Sequence, residues 1–409
     1  MTARLLLMLP IVTALSAQQQ EPRDLLQRVR AKVVDSLNRL PRYMCTETID
    51  RFQFDASEPV RRSDCDRNVT RPNHLASSDR LRLDVGVGTD TEMFSWTGAR
   101  QFDDHDLRDI VQEGAISTGS FTSFLTAIFG TDTAQFTYNG DKTVDRRTLV
   151  EFGFRVAQDR SRYYFGEGSR RAIVGYAGTF LADPKTADLV RLELSTNQLS
   201  PDTGACYATT SLNYQQVRFN DSDFLLPSQA ILTIVEGKGG MARNRTLFSS
   251  CHAFLGESTI SFDAPTDTAQ EAKRVSAAAI EIPEGIRFQV VSAQGVDTAT
   301  WAAGDEIKSK LSTPIKKGSK ILAPQGAPVV ARVVRLRELY GSTTSVTLEF
   351  RLETVEIDGV AVRLRATPDL PADDMMAGRS AWFSFPRVNL PYLIGSGLES
   401  KWVTAAAPK

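Results

Sequence analysis

Histidine, the side chain that most often transfers protons or binds metals in proteins, occurs only three times in this sequence. One histidine lies in the acidic run Asp103-Asp104-His105-Asp106, whose carboxylates could bind a hard cation. The same carboxylates stand directly before Leu107, where they would cap a helix and complement its dipole. Helix capping is the simpler interpretation, and the sequence therefore predicts no metal site.

The thiols point to disulfides and not to a reactive centre. The four cysteines are Cys45, Cys65, Cys206 and Cys251, and none of their spacings is typical of a zinc site. His252 follows Cys251, but neighbours on a strand point to opposite faces, so a thiol–imidazole pair is not expected. Three connectivities are possible. We favour Cys45–Cys65 and Cys206–Cys251, because each pair lies on strand-like segments separated by a single turn-bearing loop.

Local catalytic motifs give no further candidates. The glycine-rich stretches at residues 166–168 and 237–240 lack the strand-to-helix context of a phosphate-binding loop, and we interpret them as turns. Neither G-x-S-x-G nor H-E-x-x-H occurs, so the common hydrolases and metalloproteases have no local signature. Because a catalytic triad can be scattered along a chain, a hydrolase with a dispersed site stays open as a third alternative. The sequence predicts no catalytic residue, no cofactor and no enzymatic activity.

The charge balance and the first residues bear on partners and location. The 48 basic and 49 acidic side chains nearly cancel, which gives no basis for a nucleic-acid partner or a polybasic membrane patch. Residues 1–17 are typical of a secretory signal peptide, with a charge at Arg4, an apolar stretch and a small-residue cleavage site after Ala17. We expect a periplasmic or secreted protein that begins near Gln18 and has no transmembrane span, a retained signal anchor being the alternative.

The elements that would position any site are mostly strands. An amphipathic helix is predicted at residues 21–40, with Pro22 in its first turn, and the alternating segments after it indicate an antiparallel meander. The alternation breaks at residues 107–111 and 119–130, which we predict to be two short helices. One wide apolar stripe runs along the second, which lies between Gly119 and Gly130. Its members are Phe121, Phe124, Leu125 and Ile128.

Residues 161–194 predict a long hairpin. Asp183-Pro184 is typical of a type I turn. Beyond the turn Val190, Leu192 and Leu194 alternate with charged residues, so this strand is expected to bury one face. Before the turn Gly178 lies within a strand, where glycine indicates a bend or the close approach of another backbone. The hairpin therefore favours a strongly curved sheet.

At 409 residues the chain is too long for one ordinary core, and we expect two domains. Residues 264–282 are polar and alanine-rich without a strand period, which is typical of a linker. The expected division is a signal peptide at 1–17, a β domain at 18–263, the linker, and a small β-rich domain at 283–409. Short strands and turns such as Asp358-Gly359 in the last part favour a small β-barrel or sandwich.

The hairpin carries a resemblance to a known family. Its pattern is G-x-F-x-x-D-P-x-T-x-x-L-V-R-L, formed by Gly178, Phe180, Asp183, Pro184, Thr186, Leu189, Val190, Arg191 and Leu192. Together with the opening helix and the sheet interrupted by apolar helices, this resembles the outer-membrane lipoprotein carrier superfamily over residues 21–263. The resemblance implies a mainly β (α+β) fold, in which a curved antiparallel sheet, or unclosed β-barrel, is covered by short helices and shelters acyl chains or other apolar ligands.

A fainter resemblance concerns the last domain. A GDxIxxxL pattern from Gly304, an LxPxG turn from Leu322 and the late Asp358-Gly359 pair are similar to the β-barrel domain of TrbI-type conjugation proteins. The resemblance implies a small β-domain for contacts with other envelope proteins. The functional expectation is therefore an exported, non-enzymatic envelope protein that binds a hydrophobic ligand or lipid. The alternative is a structural or assembly protein with a filled core.

The expected ligand cavity lies between the sheet and the second short helix, where a helix flanked by glycines could move as a lid. A stripe of this kind is more often ordinary core. The candidate residues come from the helix, from the strand at 148–156 and from the hairpin. They are Phe121, Phe124, Leu125, Ile128, Phe152, Phe154, Tyr176 and Phe180.

Overall fold

The computed structural model describes residues 12–56, 65, 73–88, 92–99, 107–111, 113–166, 170–196, 199–253, 282–369 and 380–406. Within these ranges the chain is mostly antiparallel β, and its principal sheet is large, curved and not closed into a barrel. The predicted fold class is confirmed. The acidic run at 103–106 and nearly all of the predicted linker lie outside the described residues, so the proposed domain boundaries stay a prediction.

The helices are α1 (Val12–Arg39), α2 (Leu107–Ile110) and α3 (Ser123–Leu125), and α3 continues into a π-helical turn, Thr126–Gly130. Short 3₁₀ turns span Gln158–Arg160 and Pro201–Thr203. The strands of the first part are β1 (Tyr43–Ala56), β2 (Asn73–Val87), β3 (Glu92–Trp96), β4 (Ala134–Val144), β5 (Arg147–Val156), β6 (Tyr164–Phe165), β7 (Ala172–Ile173), β8 (Tyr176–Ala182), β9 (Leu189–Thr196), β10 (Ala205–Phe219), β11 (Ser222–Glu236) and β12 (Met241–Ala253).

The strands of the second part are β13 (Arg287–Ser292), β14 (Val296–Asp297), β15 (Glu306–Leu311), β16 (Ile315–Lys317), β17 (Lys320–Ala323), β18 (Pro328–Tyr340), β19 (Thr344–Ile357), β20 (Val360–Arg363), β21 (Ala366–Pro368), β22 (Ala381–Pro386), β23 (Leu393–Ile394) and β24 (Glu399–Thr404).

The first half is an open antiparallel sheet in the order β3-β2-β1-β12-β11-β10-β9-β8-β5-β4. Helix α1 packs on its inner face through the buried side chains of Leu25, Val29 and Val33. The helix starts earlier than predicted, at Val12, so Pro22 lies inside it and not in its first turn. No helix in the described part of the chain is both long and apolar enough to cross a membrane.

The predicted hairpin is present as β8 and β9. The Asp183 side chain accepts hydrogen bonds from the backbone N–H groups of Lys185 and Thr186, at 2.9 and 3.2 Å, which fixes the turn. A Cβ atom at Gly178 would lie 1.8 Å from the backbone oxygen of Glu193, so the expected close approach is real. One detail differs. An irregularity in the register at Leu181 and Ala182 makes Leu189 buried and leaves Val190 half-buried.

The strands of the second half follow a circuit. Hydrogen bonds run from β13 through β15 and β18 to β19, and from β13 to β24 on its other side. The consecutive strands β20 and β21 pair with β19 and β24 respectively, so the chain segment that holds them links these two strands. The principal sheet as a whole is open, and of the two predicted architectures, barrel or sandwich, this circuit of strands within it favours the barrel; we call the second half the barrel.

The two halves are joined by strand pairing. Arg337–Leu339 of β18 pair with Ser77–Asp79 of β2, and a parallel bridge links Leu81 to Ala303. The barrel is therefore attached to one edge of the open sheet by backbone hydrogen bonds.

All four cysteines form disulfides, but the favoured pairing was wrong. The bonds are Cys45–Cys251 and Cys65–Cys206. Strand β1 pairs antiparallel with β12, with Met44 opposite His252, and this register places Cys45 beside Cys251 although 206 residues separate them. Short sequence separation was a poor guide, because the strand order brings the two ends of the first half together.

Candidate ligand site

The predicted cavity residues converge on one apolar core. Phe121, Phe124, Leu125 and Ile128 come from residues 119–130, which we call the cover segment. The other candidates come from β5 and β8, where Phe152 stands directly opposite Phe180. All eight of the predicted residues are buried in the same cluster. The sequence therefore identified residues that meet in space, while their role as ligand contacts stays a prediction.

Rings of the cover segment and of the sheet lie in direct contact. Phe129 packs edge-on against Phe180 with ring centroids 5.1 Å apart, and Phe180 stacks on Phe152 at the same separation. At the start of the cover segment Phe121 packs edge-on against Phe248, at 5.0 Å. We call this packed region, formed by the cover segment and by Phe152, Phe154, Tyr176 and Phe180, the aromatic interior. In this state it is filled by the protein's own side chains.

The two best-formed cavities lie elsewhere. One of about 80 Å³ lies between α1 and strands β9–β11, lined by polar groups such as Lys32 and Asp188. The other, of about 30 Å³, is lined by Arg51, Asp79 and Arg337. A pocket for an ordinary organic ligand has roughly 300–1,000 Å³. Neither cavity includes a predicted ligand residue.

The cover segment is held at its two ends by polar contacts. At its start the Glu92 carboxylate accepts hydrogen bonds from the backbone N–H groups of Gly119, at 2.7 Å, and Phe121, at 3.4 Å. At its end the Arg30 guanidinium of α1 donates to the backbone oxygens of Phe129 and Thr131, at 3.3 and 3.2 Å. Gly119 has φ +87°, a left-handed conformation that suits glycine.

A group of polar side chains lies beneath the start of the cover segment. These residues are Tyr43, Glu47, Glu92 and Tyr214, and we call them the polar corner. Tyr43 is fully buried and Glu47 is 5% exposed. The hydroxyl groups of Tyr43 and Tyr214 are buried, and neither has a hydrogen-bond partner within the described structure. Buried polar groups are normally hydrogen-bonded, so this corner is unusual.

Burial changes the acidity of the polar corner. It raises the pKa of Glu47 well above the ordinary value, and the nearby Glu92 carboxylate raises it further. Burial also raises the pKa of Glu92, against the opposing effect of the hydrogen bonds from Gly119 and Phe121. Burial, with smaller contributions from Glu92 and Tyr214, raises the pKa of Tyr43. The corner therefore favours uncharged side chains unless a cation lies beside it.

Sequence reasoning missed the polar corner, although a signal was present. Tyr43, Cys45, Glu47 and Ile49 alternate along β1 and are all buried, so strand period alone places Glu47 on the inner face. Elsewhere, within the residues that the structure describes, no group of three or more histidine, cysteine or acidic side chains is arranged to hold a metal ion.

Comparison with known proteins gives similar folds and no sequence match. No family model and no curated protein matches the chain. Similar solved structures include a domain described as an outer membrane lipoprotein-sorting protein from Vibrio parahaemolyticus, at 9% identity and TM-score 0.30, covering 57% of this chain and 95% of that one. A LolA superfamily protein from Nitrosomonas europaea has 8% identity and TM-score 0.26, covering 59% of this chain and 97% of that chain.

A DUF1329 family protein from Desulfovibrio piger is also similar, at 8% identity and TM-score 0.27, covering 58% of this chain and 97% of that chain. These structures are of the kind that the hairpin resemblance named, and the resemblance itself stays a prediction. With TM-scores this low, the likeness says nothing about a ligand or an activity of this chain.

Proposed function

We propose that this protein is an exported, non-enzymatic protein of the cell envelope that binds a hydrophobic lipid or acyl ligand in its aromatic interior. The observation that carries the proposal is a continuous apolar core beneath a short, separately held cover segment. The disulfides Cys45–Cys251 and Cys65–Cys206 support export, because such bonds persist mainly in oxidising compartments.

The construction of the cover segment supports its movement. Its regular part is only the three residues of α3 and a five-residue π-helical turn. A π-helical turn is uncommon and often accompanies a functional site. The segment is tied by Glu92 at one end and Arg30 at the other, so few polar contacts must break when it swings outward. Opening would expose the rings of the sheet to an entering acyl chain.

A second candidate function is a structural or assembly role with a permanently filled core. The observation that favours it is the direct ring packing of Phe121 and Phe129 against the sheet and of Phe124 against Tyr163. In that case the cover segment is ordinary core, and its apolar stripe has no ligand to meet.

The two functions differ in what the wild-type protein does with a fluorescent fatty acid. Under the binding proposal the protein purified from a periplasmic extract takes up the probe, and native mass spectrometry shows lipid that co-purifies. Under the structural alternative neither occurs. An absence of both probe uptake and co-purified lipid contradicts the binding proposal.

A matched pair of substitutions tests the location of the site. Phe124 lies in the cover segment and contacts Tyr163, whereas Phe350 lies in the barrel and stacks on Phe383. We expect Phe124→Trp to weaken probe binding by about tenfold with little change in melting temperature, while Phe350→Trp leaves probe binding unchanged. If Phe124 is ordinary core, Phe124→Trp overpacks it and destabilises the fold by about 1–3 kcal/mol, with no effect on probe binding.

A further inference from the structure

The polar corner has the features of a recognition site for one end of a ligand. Val87 of β2 pairs with Tyr43 of β1 on one side and with Glu92 of β3 on the other. The three residues therefore lie side by side across three neighbouring strands. Paired residues in a sheet share a face, so both side chains lie on the inner face. Glu47 lies four residues beyond Tyr43 on β1 and therefore shares that face.

The corner is also surrounded by aromatic rings. The Tyr43 ring lies 5.8 Å from that of Phe121 and 5.5 Å from that of Phe219, measured between centroids. Rings near a carboxylate attract cations through their negative faces. The hydroxyls of Tyr43 and Tyr214 have no partner among the described residues and can accept hydrogen bonds. The carboxylates and the ring faces of the corner suit a positively charged group with N–H donors, and the tyrosine hydroxyls can accept hydrogen bonds from it.

We propose that the polar corner binds the primary ammonium head of an amphiphile whose chain occupies the aromatic interior. The inference rests on the proposed function, since the chain needs the interior. An ammonium group there would pair with Glu47 and Glu92, donate to the tyrosine hydroxyls and offset the cost of two buried carboxylates. A carboxylate or phosphate head at the same place would meet two acidic groups and no cation of the corner.

The position of the corner links recognition to opening. Glu92 holds the start of the cover segment, at Gly119 and Phe121, and the ring of Phe121 covers Tyr43. A head group reaches the corner only when Phe121 moves aside. The same ammonium group competes for the Glu92 carboxylate, so binding weakens the contact that closes the segment.

The test compares three probes with the same chain and different heads, namely dodecylammonium, dodecan-1-ol and dodecanoate, by calorimetry below the critical micelle concentrations of the two ionic probes and below the solubility limit of dodecan-1-ol. We expect the wild-type protein to bind dodecylammonium about tenfold more tightly than either other probe. Glu47→Gln removes the carboxyl group that would ionise beside the ammonium, with little change of shape, and should reduce this preference to about twofold or less. The control Glu193→Gln, whose side chain is 51% exposed on β9, should keep the full preference.

Failure of this inference is distinguishable from failure of the proposed function. If all three probes bind equally, the proposed function stands and the ammonium site is overturned. The ammonium site is also overturned if the preference persists in both Glu47→Gln and Glu92→Gln. If none of the probes binds, the proposed function fails together with this inference. Melting curves of each variant establish that a lost preference occurs in a folded protein.

Discussion

The two halves of the molecule enclose their cores in different ways. In the second half the consecutive strands β20 and β21 pair with β19 and β24 respectively, and the chain between them links the ends of a circuit of strands. The first half is an open curved sheet, whose inner face needs other elements to shield it from water. Helix α1 and the cover segment do this mainly through apolar side chains, and polar contacts hold the cover segment near its two ends. The strands of the second half are tied to their neighbours by backbone hydrogen bonds, whereas the cover segment contributes no strand to the open sheet.

Two buried polar groups, one in each half, differ in how fully their atoms are paired. In the barrel, Arg332 is 1% exposed and every polar nitrogen of its guanidinium is paired. It contacts Glu353 and Glu306, and it donates to the backbone oxygens of Gly304 and Thr97, the last of which belongs to the first half. The polar corner of the first half, by contrast, has buried hydroxyls with no partner in the described structure. The satisfied network favours a fixed structure, and the unsatisfied one favours exchange with a ligand.

The largest expected effect comes from disrupting the fully paired Arg332 network of the barrel. Arg332→Met leaves Glu353 partly buried without its main partner and should destabilise the protein by about 3–5 kcal/mol, measured by urea denaturation. Arg351→Met is the control, because Arg351 is 41% exposed and contacts the same Glu353 at 3.3 Å. Its loss should cost less than about 1 kcal/mol. Equal costs for the two variants would mean that Arg332 is not what fixes the barrel.

The local elements of both halves could be predicted, because they depend on short-range patterns. Alternation identified β5 and β9, the Asp183-Pro184 pair identified the turn, and Gly178 correctly indicated a close backbone contact. The apolar stripe also led to residues that meet in the core. Each of these signals is contained within about ten residues of sequence.

Long-range pairing could not be predicted in this way. The Cys45–Cys251 bond depends on β1 meeting β12, and nothing near either cysteine encodes that strand order. Burial of Glu47 was predictable from the alternation along β1, but the meeting of Tyr43 with Tyr214 of β10 depends on the curvature of the whole sheet. The apolar residues of the candidate site could therefore be predicted from the sequence. The grouping of the polar corner could be found only from the fold.

An intermediate effect is expected from releasing the start of the cover segment. Glu92→Ala removes the two hydrogen bonds at the start of the cover segment, and bonds to a charged group contribute about 1.5–3 kcal/mol. We expect amide hydrogen exchange in residues 119–130 to become at least about tenfold faster, while exchange in β18 and β19 does not change.

Glu193→Ala, on the exposed face of β9, is the control and should leave exchange in the cover segment as in the wild type. If amide exchange in the Glu92→Ala variant becomes faster throughout the first half of the protein, the substitution has caused general destabilisation. The cover segment would then not be a unit that opens separately. An unchanged rate in residues 119–130 would show that Glu92 does not hold it.

The smallest expected effect is a pH dependence that comes from Glu47. Burial and the nearby Glu92 raise the pKa of Glu47 in the folded protein above its unfolded value of 4.5. Between these two values the folded state binds a proton that the unfolded state has released, so the free energy of unfolding falls as pH rises. Each unit of pKa difference corresponds to about 1.4 kcal/mol. Glu47→Gln cannot ionise, so its free energy of unfolding lacks this loss.

We therefore measure the free energy of unfolding by urea denaturation from pH 5 to pH 8 at fixed salt. The difference between Glu47→Gln and wild type should increase with pH in favour of the variant. The difference between Glu193→Gln and wild type should not change with pH. A flat difference for Glu47→Gln as well would mean that Glu47 reaches water, and the contrast between the fully paired Arg332 network and the polar corner would lose its electrostatic basis.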